Sequence, residues 1–143
     1  MTVEAILKRK GREVVFAAPE TNTKVAAELM RQKNIAALLV VEGESILGIV
    51  TERDIVRAFA RDGGALLAKP IRDIMTSKLI TGKPEDSVKH VMQIMTTNRI
   101  RHFPVLKDGK LAGMVSIGDI VRYRLEDLEL ERNVLRDAYI AAR

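Results

Sequence analysis

The sequence predicts an α+β protein made of two β-α-β-β-α repeats packed sheet to sheet with pseudo-two-fold symmetry, extended by a helix at each terminus. Three observations carry that expectation: an ungapped internal duplication, apolar spacing that switches between helical and strand periods inside each copy, and copies too small to cover a sheet alone. Residues 15–57 overlay residues 80–122 without a gap, so Pro19 and Pro84, Gly48 and Gly113, Asp54 and Asp119, and Arg57 and Arg122 each lie 65 residues apart. Self-similarity of this kind marks a repeat architecture, and two copies make a pair rather than a solenoid. A lone unit leaves one sheet face bare, which the second unit covers.

The elements follow in order. Residues 1–12 form an N-terminal helix that Gly11 closes, with Lys8, Arg9 and Lys10 in its last turn. The first repeat spans 13–62 and the second 77–124, with a linker over 63–76. Each opens with a short β-branched strand, Glu13–Ala17 or Leu79–Thr81, which Pro19 or Pro84 ends. A helix follows, marked by Val25, Ala26, Leu29 and Met30 in one copy and by Val88, Val91, Met92 and Met95 in the other. Two strands come next, Ala37–Val41 with Ile46–Thr51, and Phe103–Leu106 with Leu111–Ser116. Asp108-Gly109 joins the second pair as a hairpin turn. A last helix begins near Glu52 and near Ile117. In the linker, Asp62-Gly63-Gly64 stops a helix and Lys69-Pro70 leads into a short turn at Ile71–Thr76. Residues 125–143 extend the final helix, with Val121, Leu125, Leu128, Leu135 and Tyr139 at alternating spacings of four and three and Arg132 as the polar interruption.

Composition narrows the function. With 143 residues and 47% hydrophobic content, the chain makes one compact body but not a catalytic domain beside a regulatory one. The absence of cysteine removes disulfides, thiolate metal sites and cysteine nucleophiles. No apolar run approaches a membrane span and the N-terminus has no signal-peptide core, so a cytoplasmic protein is expected. The net charge of +5 is spread without a basic arm, and aromatic residues are only 3%, which disfavours nucleic acid as a partner. There is no P-loop, no nucleophile elbow and no cluster of metal ligands, and the two histidines, His90 and His102, stand without a catalytic pattern. We therefore expect no enzyme, no catalytic residue, no metal and no catalytic cofactor.

One motif recurs with chemistry in it. Gly48-Ile49-Val50-Thr51-Glu52-Arg53-Asp54 runs from strand into helix, and copy two repeats it as Gly113-Met114-Val115-Ser116-Ile117-Gly118-Asp119. A helix N-terminus with a hydroxyl suits a phosphate, and a carboxylate in the first turn accepts the two hydroxyls of a ribose. The same spacing also makes a capping box, with Asp in the usual Glu position, that needs no ligand. Duplication does not separate these readings, because a duplicated fold duplicates its caps.

With Asp73-Ile74-Met75-Thr76 and Arg99-Ile100-Arg101-His102-Phe103-Pro104-Val105, the two motifs make residues 14–122 resemble a tandem pair of cystathionine-β-synthase (CBS) domains, a Bateman module. The resemblance implies a homodimer and an adenosine-containing ligand: AMP, ADP, ATP or NAD(H), with S-adenosylmethionine ranked behind them. It implies a ligand sensor acting on an effector protein, the alternative being an oligomerisation module with vestigial sites. It further implies that each pocket draws on both repeats. One would join Thr51, Arg53 and Asp54 to Ile80, Thr81, Ile100, Arg101, His102 and Pro104. The other would join Ser116, Gly118 and Asp119 to Val15, Phe16, Ile35, Ala36, Ala37 and Leu39. Arg53, Arg101 and His102 make the first the expected phosphate site, since the second has Gly118, Ala36 and Ala37 in their places.

Overall fold

The computed structural model describes residues 1–142, so Arg143, the last residue of the expected C-terminal extension, lies outside it. In order, the elements are α1 (Val3–Lys10), β1 (Phe16–Ala17), α2 (Thr23–Lys33), β2 (Ala37–Glu42), β3 (Ser45–Thr51), α3 (Glu52–Asp62), two 3-10 turns (Gly63–Ala68 and Ile71–Asp73), α4 (Val88–Asn98), β4 (His102–Lys107), β5 (Lys110–Ser116) and α5 (Ile117–Ala141). The chain divides into two compact units, residues 14–79 and residues 1–13 together with the chain from Ile80 onward. The N-terminal helix thus belongs with copy two and not with the repeat it precedes.

In the copy-one unit the sheet runs β1-β2-β3. β1 is parallel to β2 and β2 antiparallel to β3, with Leu39 opposite both Phe16 and Ile49. Leu38, Val40 and Val50 point from one face into a core completed by Ala26 and Met30 of α2, Ala58 of α3, and Leu66 and Ile71 of the linker turns. Asn22 caps α2 through Val25 N–H, and Asn34 ends it in the left-handed conformation that Asn tolerates. After the 3-10 turns the linker lies along β3, where Thr76 and Ile49 exchange backbone hydrogen bonds at 2.8 and 2.9 Å. That approach explains Gly48: a Cβ there would meet the Thr76 carbonyl oxygen at 2.7 Å.

The copy-two unit has a two-stranded sheet, β4-β5, and its strands turn through Asp108 and Gly109 at φ of 52° and 76°, as the Asp-Gly pair requires. Phe103, Val105 and Val115 share a core with Val88, Val91 and Met95 of α4, Ile120 and Tyr123 of α5, and Val3, Ile6 and Leu7 of α1. Gly113, the counterpart of Gly48, makes room for Leu7, whose Cδ2 would stand 2.7 Å from an added Cβ.

One expected element is corrected. Leu79–Thr81 form no strand, and β1 is shorter than Glu13–Ala17. In copy one the Leu39 N–H donates to the Val15 carbonyl at 3.1 Å and so ties the chain before β1 to β2. The residue 65 positions on is Pro104, which has no N–H to offer Ile80. Contact is left to Gly82, which donates to Pro104 and accepts from Leu106. Val25, expected on the buried face of α2, is 50% exposed, whereas Ala26 and Met30 are buried. Among the described residues no helix is long and apolar enough to cross a membrane.

Candidate functional site

Thr51 and Ser116 stand at the junctions of β3 with α3 and of β5 with α5, where the first N–H groups of each helix lack intrahelical partners. Both junctions close as capping boxes. The Asp54 N–H donates to Thr51 Oγ1 at 3.2 Å, while Asp54 Oδ2 accepts the Thr51 N–H at 2.9 Å and its hydroxyl at 3.0 Å. In copy two the Asp119 N–H donates to Ser116 Oγ at 3.2 Å and Asp119 Oδ2 accepts the Ser116 N–H at 2.8 Å. The strand before each helix is held to the same junction: Glu52 N–H donates to the Ala36 carbonyl at 3.0 Å, and Ile117 N–H to the Arg101 carbonyl at 2.8 Å.

This arrangement gathers the expected site residues by copy. In copy one, Ile35, Ala36, Ala37 and Leu39 run beside Thr51, Arg53 and Asp54, with Ala37 opposite Thr51 in the ladder. Ala37 and Leu39 are buried, Val15, Ile35 and Ala36 are half-buried, and Phe16 is 60% exposed. In copy two, Ile100, Arg101, His102 and Pro104 run beside Ser116, Gly118 and Asp119, with His102 opposite Ser116. Pro104 is buried, Arg101 and Thr81 are exposed, and Ile80 and Ile100 pack on the copy-two core. Copy one also holds a cavity of about 630 Å³ between α2 and α3, which Ile35, Ala36 and Glu52 reach but neither Thr51 nor Asp54 lines.

Each carboxylate has one more partner, and sequence reasoning found neither. Asp54 Oδ1 accepts the Thr76 hydroxyl at 3.1 Å. Asp119 Oδ2 accepts the Lys10 ammonium at 2.7 Å, and the same Nζ donates to the Met114 carbonyl at 3.1 Å. Burial pushes the Asp119 carboxyl up, but Lys10 and the Ser116 N–H together hold it below the ordinary aspartate value. Thr76 belongs to the Asp73–Thr76 motif, but a threonine 22 residues from the carboxylate it bonds carries no signal by spacing. By sequence Lys10 is a charge favouring the α1 C-terminus near Gly11, and nothing in its spacing points to Asp119. Among the described residues no group of three or more His, Asp or Glu side chains is placed to hold a metal ion.

The family profile described as CBS domain matches residues 3–61 and 71–126. The mitochondrial CBS domain-containing protein CBSX3 of Arabidopsis thaliana is 42% identical over 130 residues, covering 85% of this chain and 63% of its own length, so this chain spans a little under two thirds of that relative. The crystal structure of the CBS-domain protein ATU1752 from Agrobacterium tumefaciens superposes with a TM-score of 0.85 at 38% identity, over 87% of this chain and 99% of that one. The CBS domain pair of protein MJ0100, solved in complex with 5′-methylthioadenosine and S-adenosyl-L-methionine, superposes with a TM-score of 0.78 at 29% identity, over 89% of this chain and 98% of that one.

Proposed function

The chain belongs to the CBS-domain family as a tandem pair, and from that premise we propose that it is a regulatory sensor that binds an adenine nucleotide and passes the binding on to a partner protein. The observation that carries the reading is the pair of helix-start boxes, each with a carboxylate that a ribose diol can use and N–H groups that favour an anion. The adenosine shared by both ligands of the MJ0100 pair supports the ligand class. In this proposal one site takes Thr51, Arg53 and Asp54 with Ile80, Thr81, Ile100, Arg101, His102 and Pro104. The other takes Ser116, Gly118 and Asp119 with Val15, Phe16, Ile35, Ala36, Ala37 and Leu39. The exposed Arg53 and Arg101 favour a phosphorylated ligand, AMP, ADP, ATP or NAD(H), over S-adenosylmethionine at the Asp54 site. A homodimer and an effector are part of the reading, supported by exposed Leu125, Leu128, Leu130 and Leu135 on α5.

No catalysis is assigned: the Thr51 hydroxyl that donates to Asp54 closes the helix cap, and we read the junction residues as binding groups. A second reading, an oligomerisation module whose ligand sites are vestigial, is favoured by one observation. Both carboxylates are already hydrogen-bonded by their own chain. Mass spectrometry of small molecules released on denaturing the purified protein separates the two. The sensor reading predicts an adenosine-containing compound that Asp54→Ala reduces. Release of such a compound in equal amount from the variant, or saturation of the wild type by none of AMP, ATP, NAD and NADH, sinks it in favour of the second.

A further inference from the structure

Two acceptors recur in both copies: the β3 or β5 carbonyl at Ile49 or Met114, and the box carboxylate at Asp54 or Asp119. In copy one a single residue serves both, since the Thr76 N–H donates to the Ile49 carbonyl at 2.8 Å and its hydroxyl to Asp54 Oδ1 at 3.1 Å. In copy two a single residue again serves both, but it is Lys10, whose ammonium reaches the Met114 carbonyl at 3.1 Å and Asp119 Oδ2 at 2.7 Å. The reason is local. The residue 65 positions before Thr76 is Gly11, which ends α1 at φ 99° and has no side chain to offer. The task passes to the residue before it, and a neutral donor is replaced by a charged one.

We propose that Lys10 is the residue that makes the two half-sites unequal, acting as a tethered competitor for the Asp119 carboxylate so that a nucleotide fills the Asp54 half first. The proposal rests on the adenine-nucleotide reading. At Asp54 an arriving ribose hydroxyl exchanges one uncharged donor to the carboxylate, the Thr76 hydroxyl, for another. At Asp119 it must share the carboxylate with an ammonium that already holds Oδ2 at 2.7 Å in a charge-assisted bond, and whatever the ligand draws from that oxygen the cation loses. The pair is only partly open to solvent, with the Lys10 side chain 36% and the Asp119 side chain 21% exposed, so water does not fully screen it. Nor does the competitor diffuse away. Val3, Ile6 and Leu7 anchor α1 in the copy-two core, and Arg9 pairs with Glu126 of α5 at 2.9 Å, which keeps the ammonium at a high local concentration.

The test is calorimetric titration of nucleotide-free protein with AMP for wild type, Lys10→Met, Lys10→Gln and Lys10→Arg, with Asp54→Ala and Asp119→Ala identifying the two binding events. Wild type should bind first at the Asp54 half and then weakly or undetectably at the Asp119 half. Lys10→Met should tighten the second event by about tenfold or more and leave the first unchanged. Lys10→Gln keeps a donor for the Met114 carbonyl without the charge and should do the same, so a folding defect in one variant does not hide the effect. Lys10→Arg keeps the charge and should resemble wild type. A second event unchanged in both neutral variants overturns the proposal. So does a weakened one, which would mean that the ammonium holds the ligand instead of competing with it. The absence of any binding event in every variant, repeated with ATP, NAD and NADH, overturns the nucleotide reading itself.

Discussion

Asp54 and Asp119 hold the same place in their copies, but the donor that reaches each from outside its own box is a hydroxyl at Asp54 and an ammonium at Asp119. The Asp119 carboxyl lies below the ordinary aspartate value because Lys10 and the Ser116 N–H outweigh the cost of its burial. A carboxyl depressed in the folded protein stabilises it fully above the unfolded value, near pH 4, and that contribution fades as pH falls through the lower folded value. Lys10→Met should therefore cost stability at pH 6, and the gap between variant and wild type should close in urea melts taken below about pH 4. A gap that persists in acid would locate the role of Lys10 in packing and not in charge. Both boxes were legible as Thr-x-x-Asp and Ser-x-x-Asp, because a cap is a local, fixed-spacing device. Thr76 and Lys10 were not, because each reaches its carboxylate from a separate segment, 22 and 109 positions away.

At the scale of elements, α1 completes copy two. Val3, Ile6 and Leu7 are buried against Val88, Val91 and Val115, and the Val3 N–H donates to the Asp86 carbonyl at 2.9 Å. Leu7 fills the space that Gly113 leaves open, so Leu7→Ala should destabilise this unit by about 2–5 kcal/mol. Hydrogen exchange should show lost protection in α4, β4 and β5 with β2 and β3 little changed. Uniform loss across both copies would contradict the unit boundaries. The helix itself was readable from its spacing and from Gly11, but its attachment was not, since nothing in residues 1–12 says which copy they cover. The strand at Leu79–Thr81 failed for a reason that was present in the sequence all along: its partner position is Pro104, and a β-branched run cannot pair with a strand that lacks the donor.

At the scale of the whole molecule, the duplication announced two equivalent units, and the structure makes them unequal. Copy one has a third strand and the linker laid along β3, whereas copy two has α1 in its core and the 25-residue α5. The start of α5 is fixed to its unit by Ile120 and Tyr123, and the methionine N-terminus pairs with Asp127 at 3.2 Å. Beyond Tyr123 its apolar residues, Leu125, Leu128 and Leu135 among them, are exposed, and their alternating spacing alone did not say whether they would pack on their own unit. A binding-driven switch in such a protein is bounded by the ligand's differential affinity for its two states, so affinity comes first. The most direct measurement is isothermal titration of nucleotide-free protein with AMP, wild type beside Asp54→Ala, after both are shown to melt cooperatively. The account predicts saturable binding by the wild type, weakened at least about tenfold in the variant. Identical binding curves for the two proteins would contradict it.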